Sequence, residues 1–258
     1  KIGGFRVGFE GSQDYDMLLR FTEQTQRIGH IPKILYHWRI HAASTASVED
    51  VKPYAYEAAR KALTEACARR DEEAEIRFLS ILRGYYAPRY KLKKEAKISI
   101  IIPTKDQADI LETCIKSIFE VSTWKNFEVI VISNNSSEKS LFKLLDDYKQ
   151  RYPGQFIWTE CNIPFNFSKL MNEGVKHASG DYYLLLNNDM EVISPDWMEA
   201  MLEQAQRKTT GAVGVKLLYY NGTIQHAGVV IGLGGVAGHA FVGLYKDEPG
   251  YFNYLQCI

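Results

Sequence analysis

The sequence predicts an α/β protein: a mainly parallel sheet covered by helices, preceded by an α-rich N-terminal segment. Two observations carry this. From Lys97 onward short β-branched runs alternate with amphipathic stretches, the signature of a βαβ series. Those runs are apolar at successive positions rather than at every second one, as in strands buried on both faces of a parallel sheet.

Taken in order, residues 1–50 hold "GGFRVGFEGSQDYDMLLRF", in which Gly11 and Ser12 precede a helical pattern. From Val51 to about Gly84 the text is helical, with alanines, charges and apolar residues at three and four spacing and Pro53 in the first turn, where a helix tolerates it. The charges of "RRDEEAEIR", 69–77, suit a solvated helix face. "APRYKLKKEAK" then breaks the periodicity as a linker would, so 51–94 reads as a helical connector. The series that follows is "KISIIIPT", helix 107–120, "FEVIVIS", helix 138–150, "FIWTECN", helix 166–178, "DYYLLLNND", helix 195–207 and "AVGVKLLYY". The glycine-rich run "AGVVIGLGGVAG", 227–238, is about half the length of a membrane span and reads as paired strands or a loop.

Composition narrows the function classes. The chain has 258 residues, 46% hydrophobic and 24% charged, enough for one large core or two smaller ones. Lysine plus arginine equal aspartate plus glutamate at 31 each, which gives no electrostatic case for nucleic acid and at most peripheral membrane association. Any anionic ligand must be caught locally. Cys67, Cys114, Cys161 and Cys257 form no Cys-x-x-Cys pair, which argues against a zinc site or disulfide framework and fits a reducing cytoplasm, up to the inner face of the membrane. "KIGGFRVGFEG" has no apolar signal core, and the sequon Asn221-Gly222-Thr223 carries no weight without a secretory route.

Three apolar strands end in polar clusters: Pro103-Thr104-Lys105-Asp106, Ser133 to Ser137, and Asn187 to Glu191. In a parallel sheet such ends converge on one crevice, where ligands bind. Neither Gly-x-Gly-x-x-Gly nor a Gly-x-x-x-x-Gly-Lys phosphate loop follows the first strand, so the common dinucleotide and triphosphate readings lose their support. A diphosphate would then need a cation. Asp189 could hold one Mg2+ or Mn2+, which is typically bound by one or two carboxylates plus substrate phosphates. The plainer alternative is an Asx turn leading to the helix after Pro195.

"SIIIPTKDQADILETCIKSI", "FEVIVISNNSS", "PFNFSKLMNEGVKHASGDYYLLLNNDMEVISPDWMEAM" and "GAVGVKLLYYNGTIQHAGVVIG" resemble, in order and spacing, the nucleotide-sugar-binding half of family 2 glycosyltransferases, over residues 97 to about 250. The resemblance implies the GT-A fold, with Pro103, Thr104 and Asp106 cradling the nucleoside. It also implies ribose and metal-diphosphate contacts from Asn187, Asn188 and Asp189, where only the last carboxylate of the family's Asp-x-Asp is kept. Ser133 and Asn134 stand where the family usually has an aspartate for the base. Asn172 matches a family asparagine, preceded by Met171 instead of arginine.

"GGFRVGFEGSQDYDMLLRFTEQTQRIGHIPKILYHWRIHAAS" is similar to the acceptor-side end of the same family. By that match Asp14 is the catalytic base, while Arg39 and His41 face the diphosphate or the metal. The acceptor half therefore precedes the donor half. One account is a fragment of a tandem enzyme: 1–50 ends one module, 51–94 connects, and 95–258 begins the next. The competing account is a permuted arrangement in which the N-terminal segment completes the later sheet. His226 and His239 read as structural or surface histidines, and Trp38, Trp158 and Trp197 as packing.

The implied function is inverting transfer of a sugar from a nucleotide donor, UDP- or dTDP-linked, to a glycan or lipid-linked acceptor in bacterial surface polysaccharide synthesis, with a divalent cation. A nucleotidyltransferase, or a non-catalytic nucleotide-sugar or glycan-binding module, stays open beside it.

Overall fold

The structure, a computed structural model, describes residues 2–37, 53–79 and 82–256. In chain order the elements are α1 (Gln13–Thr22), α2 (Pro53–Arg69), β1 (Ala74–Leu79), β2 (Leu82–Tyr90), β3 (Ile98–Thr104), α3 (Ala108–Val121), β4 (Phe127–Ser133), α4 (Lys139–Arg151) and β5 (Phe156–Glu160). They continue as α5 (Phe167–Lys176), β6 (Tyr182–Leu185), α6 (Trp197–Ala205), β7 (Leu217–Leu218), β8 (Ile224–His226), β9 (Val229–Ile231) and β10 (Ala237–His239). Two compact units result, one spanning 92–202, the other formed by residues up to 91 with those from 203 onward.

The 92–202 unit holds a parallel four-stranded sheet in the order β5-β4-β3-β6. Ile98, Ile100 and Ile102 of β3, with Val129 and Val131 of β4, pack on Leu111, Ile115 and Ile118 of α3 and on Leu141 and Leu145 of α4. Ile101, Ile130 and Ile132 point the opposite way onto Leu170 and Met171 of α5. Continuous apolar text in β3 and β4 thus serves two faces, as expected. β6 departs from that pattern: among the described residues it pairs only with β3, at the sheet edge, and its Tyr183 and Leu185 are 54% and 53% exposed. Only Tyr182, Leu184 and Leu186 turn toward the core.

Below the sheet's amino-terminal end a buried carboxylate is fully matched. Glu128 accepts from Lys97 Nζ (2.6 Å), Ser99 Oγ (2.7 Å) and the Ser179 N–H (2.6 Å), and Gly180 N–H donates to Ser99 Oγ (2.9 Å). Burial pushes the Glu128 pKa up, but the Lys97 ammonium and these donors outweigh it and hold the group below its ordinary value.

In the other unit α1 packs on α2, and α2 on a β1–β2 hairpin. The helix expected to reach Gly84 stops at Arg69. Asp71 takes a left-handed φ of 57° and its N–H bonds back to Ala68 O at 3.1 Å, closing the helix end. The text after it alternates, with Ile76 buried between exposed Glu75 and Arg77, which is a strand period. Pro88 fits because β2 has only one strand partner among the described residues. The charges of 69–77 are also less solvated than expected: Arg69 pairs with Glu23 at 2.7 Å and Glu72 with Arg207 at 2.9 Å. Asp16, fully buried, joins Arg6 and Arg20. The strand expected over 212–220 shrinks to β7, antiparallel to β8, so the parallel series ends at β6. The glycine-rich run takes the first of its two expected forms, paired strands, β9 with β10.

Candidate functional site

The chain runs β3, β4, β5 in one direction across the sheet and returns to the far side of β3 for β6, so the order reverses beside β3. A crevice opens at the carboxyl ends at such a reversal. Three strand ends and the start of α5 meet there around a cleft of about 440 Å³.

After β3, Asp106 and Gln107 adopt left-handed φ values of 51° and 61°, which turn the chain sharply into α3. The turn is held from outside. Asp106 Oδ1 accepts the Ser137 and Glu138 N–H groups at 2.7 and 2.9 Å, and Asp106 N–H donates to Ser136 Oγ at 3.1 Å. Those two backbone donors hold the Asp106 carboxyl below its ordinary pKa. One oxygen of the carboxylate expected to seat a nucleoside is therefore engaged in joining the β3 and β4 loops.

At the β4 end, Ser133 and Asn134 are buried. Ser133 Oγ donates to Ser136 Oγ (2.9 Å), and Asn134 Nδ2 donates to Cys161 O (2.7 Å) and Ile163 O (2.9 Å). Asn135, at φ 53°, donates from Nδ2 to Ile163 O at 2.7 Å, while its N–H meets Asn162 Oδ1 at 2.8 Å. The two asparagines thus staple the segment that leads to α5. Asn166 caps that helix by accepting the Lys169 N–H at 3.0 Å.

At the β6 end the polar run leaves the sheet edge. Asn188 Nδ2 donates to Thr104 Oγ1 at 3.1 Å, and that hydroxyl donates to Asp106 O at 3.3 Å. From below, Cys114 Sγ of α3 donates to Asn187 O at 3.8 Å, and Ser117 Oγ accepts the Val192 N–H at 3.0 Å. Burial pushes the Cys114 thiol up to about 12, with the Asp189 charge acting in the same direction against the Met190 N–H.

Of the residues singled out from sequence, Pro103, Thr104, Asn134, Asn187 and Asn188 line the cleft together. Ser133 and Asp106 brace its walls. Asp189 lies one residue past the lining, exposed, with no hydrogen-bond or ion-pair partner among the described residues. Asn172 is exposed on α5, outside the lining. Asp14 belongs to the other unit, where it is exposed in the first turn of α1 and accepts the Tyr15 N–H at 2.8 Å. Arg39, His41 and Trp38 lie outside the described residues. His226 and His239 meet each other, Nδ1 to Nδ1 at 2.7 Å.

Six lining residues had no role of their own in the sequence reading: Lys105 and Asn135, which lay within the strand-end clusters, and Gln107, Phe165, Phe167 and Leu170. Lys105 stood in plain sight, an unabsorbed cation directly after an apolar strand. The phenylalanines gave a weaker signal, two aromatic residues flanking a helix-capping asparagine.

Among the described residues no three His, Cys, Asp or Glu side chains converge as a protein-only metal centre. The donor set at the cleft rim is instead a single unengaged carboxylate, which suits a hard cation that takes its remaining ligands from a bound diphosphate and water.

Residues 99–238, more than half of the chain, match the family model described as Glycosyl transferase family 2. The chain is 42% identical over 241 residues to the O-antigen biosynthesis protein RfbC of Myxococcus xanthus, covering 93% of this chain and 18% of that protein. It is also 42% identical over 258 residues to the uncharacterized protein y4gI of Sinorhizobium fredii, covering 99% of this chain and 28% of that one. It therefore spans less than a third of the length of either relative. A mannosyltransferase from Pyrobaculum calidifontis, solved with GDP-Man and Mn2+, superposes with a TM-score of 0.42 at 17% identity, over 46% of this chain and 35% of that one. With that family model matched over more than half of its length, the chain belongs to glycosyl transferase family 2.

Proposed function

We propose that this chain serves an inverting glycosyl transfer from a nucleotide sugar, with the 440 Å³ cleft as the donor site. The observation that carries the reading is the meeting of three strand ends at the point where strand order reverses, in a chain of this family. Pro103, Thr104 and Asn134 line the nucleoside end, and Asn187 and Asn188 the ribose end. Ser133 and Asp106 hold these walls in place, and Asn172 stands at the exposed side of α5. Lys105 offers a positive charge to the diphosphate.

A divalent cation, Mn2+ or Mg2+, would be held by Asp189, while Arg39 and His41 would face the diphosphate or the metal of whichever module the N-terminal segment completes. When bound it would neutralise charge on the leaving diphosphate. In the transfer, an acceptor hydroxyl oxygen bonds to the anomeric carbon as the bond from that carbon to the diphosphate oxygen breaks. The hydroxyl proton passes to the Asp14 carboxylate of whichever module that residue completes, and the configuration inverts. The donor is a UDP- or dTDP-sugar and the acceptor a glycan or lipid-linked saccharide of a bacterial surface polysaccharide. That class is supported by the name of the Myxococcus xanthus relative. The reaction would run in the cytoplasm or at the inner face of the membrane.

Nucleotide-sugar hydrolysis and binding, measured with and without Mn2+, test this. Turnover that needs the cation and falls at least tenfold in Asp189→Asn and in Asp14→Asn is expected. Cation-dependent binding without turnover, indifferent to Asp14→Asn, would leave a nucleotide-sugar-binding module instead. That outcome has its own motive, since Asn187 occupies the place of the motif's first carboxylate.

A further inference from the structure

At the β4 end the side-chain donors that could read a nucleobase already serve the protein. Ser133 Oγ–H points to Ser136 Oγ. Asn134 Nδ2 supplies two carbonyls, and Asn135 Nδ2 a third interaction with Ile163 O. Redirecting any of these to a ligand would strand a partner at the cleft wall, a cost a bound base would have to offset.

The same hydrogen bonds do something else. By fixing 161–163 to the β4 end they mount the next residues rigidly, and the Asn166 cap fixes the first turn of α5. Phe165 and Phe167 sit on that mount, both lining the cleft, 77% and 41% exposed. Neither ring has an aromatic or cationic partner among the described residues. A single exposed apolar side chain is ordinary. Two aromatic rings one residue apart, pre-positioned at the mouth of a polar cleft, are a stacking surface with little ordering entropy left to lose.

Resting on the donor-site reading above, we propose that Phe165, flanked by Phe167, is the seat of the donor's nucleobase, and that the base is held by stacking rather than read by hydrogen bonds. Every base presents a π-face, so this site distinguishes donors weakly by base and leaves selection to the sugar and diphosphate.

Titration calorimetry of the chain with UDP, dTDP, GDP, ADP and inorganic pyrophosphate, with Mn2+ present, tests this in the wild type and in Phe165→Ala, Phe165→Trp and Phe167→Ala. The wild type should bind the four nucleotides within about tenfold of one another, and Phe165→Ala should weaken all four by roughly five- to a hundredfold. Phe165→Trp should retain affinity, Phe167→Ala should cost less than Phe165→Ala, and pyrophosphate should be unaffected throughout. Wild-type affinities separated by more than a hundredfold, nucleotide binding that survives Phe165→Ala, or equal loss of pyrophosphate would each overturn the stacking seat while leaving the donor site standing. If no nucleotide binds the wild type, the donor site and the stacking seat fall together.

Discussion

Replacing Gly174 by alanine sets two ordinary effects against each other. In an exposed helix the change stabilises, by about 1 kcal/mol on helix propensity. Gly174 is not exposed: it lies buried on α5, and a Cβ built there would stand 2.3 Å from Ile101 Cγ2 and 3.4 Å from Ile101 Cγ1. Ile101 cannot yield easily, because it is β-branched, fully buried, and held in β3 between β4 and β6. α5 must then lift off the sheet, and overpacking of this kind costs roughly 1–3 kcal/mol. The two effects leave a net destabilisation of up to about 2 kcal/mol, with the midpoint of thermal unfolding lowered by several degrees. Lifting α5 also displaces Phe167 and Leu170, so nucleotide affinity should fall in the same variant. Gly211→Ala is the control, since no atom lies within 4 Å of its built Cβ and its φ is not left-handed. Thermal unfolding and UDP titration of the three proteins decide it. An unfolding midpoint for Gly174→Ala at or above that of the wild type would refute the close-packing argument.

Two further outcomes follow from other buried groups. Glu128 has its folded pKa below the ordinary 4.5, so its contribution to stability is present above that value and is lost as pH falls through the depressed one. Glu128→Ala should therefore cost about 3 kcal/mol near neutrality, and denaturant titrations should show that deficit shrinking as pH drops below the ordinary carboxylate range. Cys114 and Cys67 are buried with raised thiol pKa values, whereas Cys161 is half-buried, so mass spectrometry after iodoacetamide treatment at pH 7.5 (roughly a unit below an ordinary thiol pKa) should find Cys161 modified before either. Cys114 labelled first would contradict the packing of α3 under Asn187.

The core of the 92–202 unit and the cleft position were legible in the sequence because both depend on local text: apolar runs long enough to be buried twice, each ended by a polar cluster. What was not legible depended on partners. Whether "DYYLLLNND" is central or peripheral is decided by what lies beyond β6, so its exposed Tyr183 and Leu185 could not be foreseen. "RRDEEAEIRFL" contains good helix formers, and a single left-handed aspartate, Asp71, separates helix from hairpin. "AVGVKLLYY" looks like a fifth parallel strand, but only Leu217 and Leu218 are paired, to a short antiparallel neighbour. Within the site, residue type indicated a polar role for Asp106, Ser133 and Asn134 without revealing that their hydrogen bonds turn inward. Residue type alone does not separate Phe165 and Phe167 from aromatics that fill a core, since exposure is a property of the folded surface and not of the residue.

The Asn188–Thr104–Asp106 connection carries a direction. Asn188 gives a proton to the Thr104 hydroxyl, which gives its own to the Asp106 carbonyl, while the Asp106 carboxylate takes two from the entry to α4. A hydroxyl has one hydrogen to give. An ionised aspartate at position 188 could only accept, so the threonine would have to reverse and abandon the Asp106 carbonyl. The neutral middle residue of "NND" is thus grammatical within its neighbourhood: the three elements agree on who donates, and a carboxylate there would turn the Thr104 hydroxyl away from the Asp106 carbonyl and unfasten the β3 loop from the β6 end.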